Sequence, residues 1–241
     1  MPAGSQLALL ILRWLHVIAG ITWVGLLYFF NLVNIPFLNE LDAATKTTVV
    51  PRLMPRALWW FRWSSVVTVL LGLAYWMHLV ALDVHNANAA GEPASALTLT
   101  ASFFLLWTLA FAVEMGALMS PAQGLKSGPV LGLIVGIAVT AAAVLFLRFN
   151  QKGWESNPTL AIGIGGGLGW FMMFNVWGII WRMQKKMIRW TEAAARGGAM
   201  PPEAAKVARL VFLTSRVNFW LSFPMLFFMN AASHLILFPP R

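Results

Sequence analysis

Six long apolar segments constrain this chain more than any other feature of its sequence. They cover residues 7–33, 58–82, 97–119, 129–149, 160–182 and 208–238. Each segment contains at least the ~20 residues that an α-helix needs to cross the hydrocarbon core of a bilayer. Prolines concentrate in the connections, where helices are expected to end. The sequence therefore predicts an all-α integral membrane protein, a bundle of about six transmembrane helices forming one domain over residues 1–241.

The composition excludes several functional classes. Only 10% of the residues are charged, whereas soluble domains carry roughly 25%. The net charge of +9 could suggest nucleic acid, but the basic residues cluster in connections between spans, which is typical of membrane topology signals. We therefore predict no nucleic-acid partner. The chain has no cysteine, which excludes disulfides, iron–sulfur clusters and covalently attached c-type haem.

The charges of the connections predict an orientation. Basic residues follow spans one and five and include Lys46, Arg52, Arg56, Arg62, Arg182, Lys185, Lys186, Arg189 and Arg196. The connection after span two contains Asp83 and Glu92 and no basic residue. Because basic connections stay cytoplasmic, both termini are predicted outside, which is the periplasm if the protein occupies a bacterial inner membrane. The basic segment 183–206 is predicted to extend the fifth helix as far as Gly197.

Three of the four histidines lie within the predicted spans and near the same side of the membrane. His16 is expected ~14 Å below the outer surface, and His78 and His234 ~7 Å below it, at ~1.5 Å per helical residue. An intramembrane histidine is a functional candidate, and neutral imidazole is the usual ligand of non-covalent haem. The alternative is that each imidazole separately bonds a carbonyl or a headgroup. His85 is expected in a solvated loop.

The helical face that carries His16 also carries Gly20, Trp23, Leu27 and Asn34. Gly20 would let either a neighbouring helix or a flat macrocycle approach the backbone closely. Both interpretations remain open from the sequence. On the haem interpretation, His16 is an axial ligand of haem b, and Gly20 and Trp23 line its site.

A second polar set falls in the inner half of the predicted spans. It comprises Asn31, Asn34, Glu114, Asn175, Arg216 and Asn218. A carboxylate within a span needs a partner, and Arg216 or Arg62 is the expected partner of Glu114. The functional interpretation is a proton path or a small anion site, with Arg216, Asn218, Glu114 and Asn175 as candidate catalytic residues. The structural interpretation is a buried ion pair.

The glycine run at residues 163–169 lies within an apolar span and lacks the strand that precedes a phosphate-binding loop. It is better interpreted as pairs of small residues at helix contacts. No serine–histidine–carboxylate arrangement, zinc-ligand spacing or phosphate loop is present in the sequence.

Three stretches resemble a known family in the order that the family shows them. They are Arg13–Gly25 (RWLHVIAGITWVG), Met173–Lys185 (MFNVWGIIWRMQK) and Ser215–His234, which begins SRVN. Together they resemble the membrane domain of bacterial urate hydroxylase, the urate oxidase N-terminal family. The resemblance implies a helical membrane domain that oxidises urate or handles electrons.

This sequence departs from the family pattern in two respects. The family's third motif reads Ser-Arg-His-Asn-Asn, whereas Val217 and Phe219 replace the histidine and the second asparagine here. Family enzymes typically continue into a periplasmic cytochrome c domain, and this chain contains no Cys-x-x-Cys-His. His234 belongs to the third stretch, and Pro224 can bend its helix inward. We therefore expect His234 to be the second axial ligand, with His78 as the alternative.

Three functions are compatible with these features. The first is a b-type haem electron-transfer subunit of a membrane redox complex, working with other membrane subunits or a periplasmic cytochrome c. The second is a urate hydroxylase that uses a separate cytochrome c as acceptor. The third is a cofactor-free accessory subunit embedded in membrane lipid. The altered third motif favours the first over the second, and the three histidines favour it over the third.

Overall fold

The protein is helical throughout the part of the chain that the structure describes. This computed structural model covers residues 3–238 and the side chains of residues 6–122 and 124–238. Its α-helices are α1 (Ala3–Tyr28), α2 (Ile35–Glu40), α3 (Ala43–Ala89), α4 (Ala96–Met119), α5 (Gly128–Asn150), α6 (Asn157–Phe174), α7 (Trp181–Ala195) and α8 (Ala204–His234). Two π-helices, Phe29–Asn34 and Asn175–Ile180, and the 3-10 turn Gln123–Lys126 complete these elements. The predicted all-α class is confirmed.

Six continuous helical runs are long and apolar enough to cross a bilayer. They are Gln6–Glu40, Ala43–Ala89, Ala96–Met119, Gly128–Asn150, Asn157–Ala195 and Ala204–His234. They coincide with the six predicted spans, and the chain is a multi-pass membrane protein. Several runs are far longer than a span requires. The 47 residues of α3 extend ~70 Å at ~1.5 Å per residue, against a hydrocarbon core of ~30 Å.

Two helices end at residues other than those predicted, and each difference changes the environment of a histidine. Helix α3 continues to Ala89 and ends where Gly91 adopts a positive φ of 82°. His85 is therefore an exposed helical residue, not the loop residue that the sequence suggested. Helix α8 ends at His234 rather than near 238. His234 is thus the last residue of its helix rather than a residue about one turn inside it.

The basic connector after the fifth span has the predicted course. Helix α7 follows the second π-helix without a break and ends at Ala195. The chain then reverses at Gly197, whose φ of 89° favours glycine. Exposed cations repeat along one face of α7 at the spacing i, i+3, i+4, i+7, namely Arg182, Lys185, Lys186 and Arg189. Such a charged face is typical of a helix segment that lies outside the hydrocarbon core.

The described residues sort into two compact units. Unit 1 comprises residues 3–15, 69–172 and 221–238, and unit 2 comprises residues 16–68 and 173–220. Each unit combines segments that are far apart in the sequence. The prediction of a single domain stays a prediction.

Aromatic rings packed on glycines build the interior of unit 1. The ring of Phe146 lies against Gly163, and the indole of Trp107 lies against Gly167, so closely that neither glycine has room for a Cβ atom. Both rings are completely buried. Helix α6 therefore carries glycines because its neighbours place rings where side chains would be, as expected for small-residue helix contacts. The packing interpretation of the glycine run agrees with this geometry.

A buried carboxylate fixes the start of α6 in unit 1. Asp83 Oδ2 accepts hydrogen bonds from the backbone nitrogen and hydroxyl of Ser156 at 2.9 and 2.8 Å, and from the Thr159 hydroxyl at 2.6 Å. Trp76 Nε1 donates to the Thr159 carbonyl at 2.9 Å. A carboxylate at a helix N-terminus also interacts favourably with the helix dipole. Asp83 therefore joins α3 to the beginning of α6.

Candidate functional site

Four helical segments of unit 2 contact one another in a closed ring. Phe30 and Phe61 meet with ring centroids 5.3 Å apart. Trp177 Nε1 donates to the Arg62 carbonyl at 3.1 Å. The other two contacts join asparagine side chains: Asn175 Nδ2 donates to Asn218 Oδ1 at 2.9 Å, and Asn31 Nδ2 donates to Ser215 Oγ at 2.9 Å. We call the polar side chains of this ring the polar core: Asn31, Asn34, Arg62, Asn175, Ser215 and Asn218.

Both π-helices of the described residues lie in unit 2 and supply amides to the polar core. Asn31 and Asn34 belong to the first, and Asn175 opens the second. The i to i+5 bonds that define a π-turn run from Ile35 N–H to the Phe30 carbonyl in the first and from Trp181 N–H to the Val176 carbonyl in the second. Such turns are rare and are frequent at functional sites. Here each widened turn coincides with buried asparagine.

The first π-helix leaves acceptor atoms available inside the protein. Asn31 Nδ2 donates to the Leu27 carbonyl at 2.9 Å as well as to Ser215. Because a carbonyl only accepts, this contact fixes which amide atom is the nitrogen. Asn31 Oδ1 and Asn34 Oδ1 are buried and have no hydrogen-bond partner among the described residues. Buried polar atoms are normally satisfied, so these two oxygens indicate a place for a donor from a ligand or water.

Arg62 is held by three tryptophans. Its guanidinium carbon lies 3.8 Å from the ring centroid of Trp181, 5.5 Å from that of Trp63 and 5.7 Å from that of Trp177. These are cation–π distances. The buried Nε of Arg62 has no hydrogen-bond partner among the described residues. The side chain is therefore fixed by stacking, and its N–H groups are not consumed by a carboxylate.

The candidate catalytic residues fall in both units. Asn175 and Asn218 are fully buried in unit 2 and bond each other, as described above. Arg216 is half-buried in the same unit, with its guanidinium 5.4 Å from the Phe212 ring and 5.8 Å from the Phe219 ring. Glu114 is fully buried in unit 1. Its predicted pairing with Arg216 or Arg62 stays a prediction.

The three candidate haem ligands have different environments. His16 Nδ1 bonds the Thr68 carbonyl at 2.8 Å in unit 2, which requires the proton on Nδ1 and leaves a lone pair on Nε2. His78 Nε2, in unit 1, is buried without a hydrogen-bond partner among the described residues. His234, also in unit 1, is exposed and bonds the Asn230 carbonyl of its own helix at 2.9 Å. Metal-ligating histidines usually bond a backbone carbonyl through the other ring nitrogen.

The His16 face is already packed by protein. A Cβ atom at Gly20 would lie 3.7 Å from Thr68 Cγ2, and Trp23 is only 1% exposed. Gly20 therefore serves helix packing in this structure. His16 and His234 each bond a backbone carbonyl through Nδ1, which leaves Nε2 with the lone pair that an imidazole ligand of haem iron uses. No group of three or more histidine, cysteine or acidic side chains that could hold a metal ion occurs among the described residues.

Sequence reasoning missed the most distinctive part of the site. The sequence indicated Arg62 as a topology charge and as an expected partner of Glu114, and it indicated no role for Trp63 or Trp181 beside Arg62. A basic residue flanked by tryptophan within an apolar span was the available signal. The π-helices have no recognised sequence signature, although Asn31 and Asn175 were noted as polar residues within spans.

The comparisons with known proteins agree with two of the three stretches that carry the resemblance. The family model described as urate oxidase N-terminal matches residues 41–239. This range contains the stretches that begin at Met173 and Ser215, whereas the stretch at Arg13–Gly25 precedes it. No curated protein and no solved structure matches the chain. The matched range covers most of the chain and both segments of the polar core that follow residue 172, and the chain belongs to the urate oxidase N-terminal family.

Proposed function

We propose that this chain is a membrane-integral redox protein related to urate hydroxylase and that the polar core of unit 2 binds its purine substrate. The observation that carries the proposal is the first π-helix, in which Asn31 Oδ1 and Asn34 Oδ1 are buried without a hydrogen-bond partner among the described residues. A second π-helix brings the buried Asn175 to the same core. Urate presents N–H donors and carries negative charge. The oxygens of Asn31 and Asn34 are suited to accept from its ring N–H groups, and site polar groups left unpaired without ligand discriminate strongly between ligands.

The polar core can also orient a flat ring. The Asn175–Asn218 pair is rigid because each amide is buried and engaged. Arg216 and Asn218 match the third stretch of the resemblance, where Phe219 stands in place of an asparagine. Phe219 contacts Tyr28 with ring centroids 5.4 Å apart, so an aromatic wall replaces a polar group there. We expect this wall to alter substrate preference within the family rather than to abolish binding.

We propose as a second function that the chain carries electrons through haem b. His16 and His234 would hold the iron, with His78 as the alternative to His234. When bound, the haem would supply one-electron transfer. The support is the Nδ1 bond from His16 to the Thr68 carbonyl, which orients Nε2 as a ligand atom. On this proposal the partners are other membrane subunits or a periplasmic cytochrome c, in a bacterial inner membrane with both termini periplasmic.

One set of measurements separates these functions from a cofactor-free accessory role. Purified protein in lipid nanodiscs is examined by absorption spectroscopy, oxidised and then reduced with dithionite, and is tested for urate-dependent reduction of added cytochrome c. A Soret band that is lost in His16→Ala supports haem ligation. A colourless protein that neither binds nor oxidises urate would favour the accessory role and would contradict both proposals.

The second ligand and the topology have their own tests. If His234 ligates iron, His234→Ala should convert a six-coordinate haem to a five-coordinate one and His78→Ala should not. The reverse result would assign the ligand to His78. Reporter fusions at 125 and 190 are expected to read cytoplasmic and one at 90 periplasmic. A periplasmic signal at 190 would contradict the orientation.

A further inference from the structure

We infer that Arg62, in its cage of three tryptophans, is the anion-binding residue of the polar core and fixes the charged edge of a planar ligand. The inference rests on the proposed function, because it assigns a role within the same site. The environment of Arg62 is unusual for a charged side chain. Arg62 is half-buried on a predicted transmembrane helix, and it forms no ion pair within residues 3–238 as described.

A guanidinium within a membrane span is costly and needs compensation. The Trp181 face, with its centroid 3.8 Å from the guanidinium carbon, supplies part of it through cation–π attraction. It does not satisfy the N–H groups, which point along the plane of the guanidinium rather than toward a stacked face. Nε remains buried without a partner. Trp181 therefore covers one face of the guanidinium, and the edge of the guanidinium keeps the capacity to donate hydrogen bonds.

That arrangement suits one chemical class. The rigid fork of a guanidinium matches planar anions with two adjacent acceptors, such as a carboxylate or the deprotonated edge of an oxidised purine. Lysine provides a point charge and cannot reproduce the fork. The surrounding structure also holds the cation in place. Trp177 donates to the Arg62 carbonyl at 3.1 Å and meets Trp63 with centroids 5.3 Å apart.

The ring of contacts makes the segment that carries Arg62 a neighbour of the segment that carries Asn31. Phe61 precedes Arg62 and contacts Phe30, which precedes Asn31. Cationic N–H groups and amide oxygens therefore belong to adjoining segments of one polar core. A ligand with an anionic edge and separate N–H donors would use both. This pairing of donor and acceptor groups argues for a heterocyclic anion rather than for an inorganic anion alone.

The experiment measures equilibrium binding of urate and of benzoate to the full chain in nanodiscs. Arg62→Gln should weaken urate binding roughly 10-fold to 100-fold, the range for removing a hydrogen bond to a charged group. Arg62→Lys should recover part of the affinity but not reach the wild type. Arg56→Gln is the matched control, since this exposed arginine on the same helix carries the same charge and should leave binding unchanged.

The possible outcomes separate the two proposals. If the wild type binds benzoate but not urate, and Arg62→Gln removes benzoate binding, Arg62 is the anion site. The same result would overturn the proposal that the substrate is a purine. Urate binding that survives Arg62→Gln in the folded fraction, measured beside thermal unfolding, would overturn the role of Arg62 and leave the proposed function intact. Binding of neither ligand by the wild type would overturn both. Equal affinities of Arg62→Lys and wild type would overturn the bidentate contact.

Discussion

The Asp83 network of unit 1 and the polar core of unit 2 differ in how completely their buried polar groups are satisfied. In unit 1, Asp83 receives three hydrogen bonds on one oxygen, and Asn150 donates to Ser102 Oγ at 2.8 Å and to the Phe146 carbonyl at 2.7 Å. In unit 2, Asn31 and Arg62 keep buried atoms that no described residue satisfies. A satisfied network adds rigidity, whereas an incomplete one costs stability unless a ligand completes it. Unit 1 also keeps such atoms, at His78 and Glu155, so the contrast is between the Asp83 network and the polar core rather than between whole units. It is consistent with a structural role for the first and with the binding role proposed for the second.

The largest effect is expected from crowding the glycine face of unit 1. Gly167→Ala would place a Cβ atom inside the Trp107 indole, and this completely buried ring cannot move freely. We expect a loss of roughly 1–3 kcal/mol in the free energy of unfolding, as for other overpacked cores, measured by thermal unfolding in detergent. Gly166→Ala is the control, because its Cβ would meet only ordinary contacts at 3.8 Å. Equal effects of the two changes would contradict the packing account.

The next effect concerns the carboxylate that starts α6. Asp83→Asn keeps the shape but removes the charge that three donors share, and we expect unfolding to become easier by about 1–2 kcal/mol. Glu92→Gln removes the same charge from an exposed residue and should change stability little. An unchanged unfolding midpoint for Asp83→Asn would show that the network does not stabilise unit 1.

A substitution in the polar core is expected to change the free energy of unfolding less and to weaken urate binding instead. Asn31→Leu removes a hydrogen bond to Ser215 but also removes a buried oxygen without a partner. These effects oppose each other, so we expect less than about 1 kcal/mol of net change. Urate binding should nevertheless fall, because an acceptor is lost. Large destabilisation with normal binding by the folded fraction would mean that the polar core is structural, which removes its contrast with the Asp83 network.

The smallest effect concerns a carboxylate of unit 1 that is only partly satisfied. Glu155 lies in the connection after α5, where its Oε2 accepts from the backbone nitrogens of Lys152 and Gly153 at 2.8 and 3.2 Å. Its Oε1 is buried without a partner among the described residues. Burial raises the pKa of Glu155 above its ordinary value of 4.5, against the opposing effect of the backbone hydrogen bonds.

The sign of the resulting pH dependence follows from that shift. Because the folded state holds the proton more tightly than the unfolded state, the contribution of Glu155 to stability is complete below pH 4.5 and declines as the pH rises through the folded-state pKa. Glu155→Gln should flatten this part of the stability profile, measured by unfolding across the acidic range. An identical profile in the variant would assign the dependence to another group.

The sequence predicts the transmembrane helices but not the contacts among them. Long apolar segments predict spans because the bilayer leaves few alternatives to a helix, and all six appear. The partners of His16 and Asn31 could not be predicted, because they lie 52 and 184 residues away at Thr68 and Ser215. The sequence also did not predict where helices end once they leave their apolar stretch. Helix α3 continues past its apolar stretch to Ala89, which moved His85 from a loop onto a helix.

The first π-helix has a consequence for comparing this chain with its relatives. A π-turn contains about one more residue than an α-turn, so side chains after residue 34 are rotated by roughly 100° from where an uninterrupted α-helix would place them. Counting across Phe29–Asn34 by α-helical periodicity therefore misassigns the faces of the residues from Ile35 onward. A relative without the bulge would align only with a one-residue gap here.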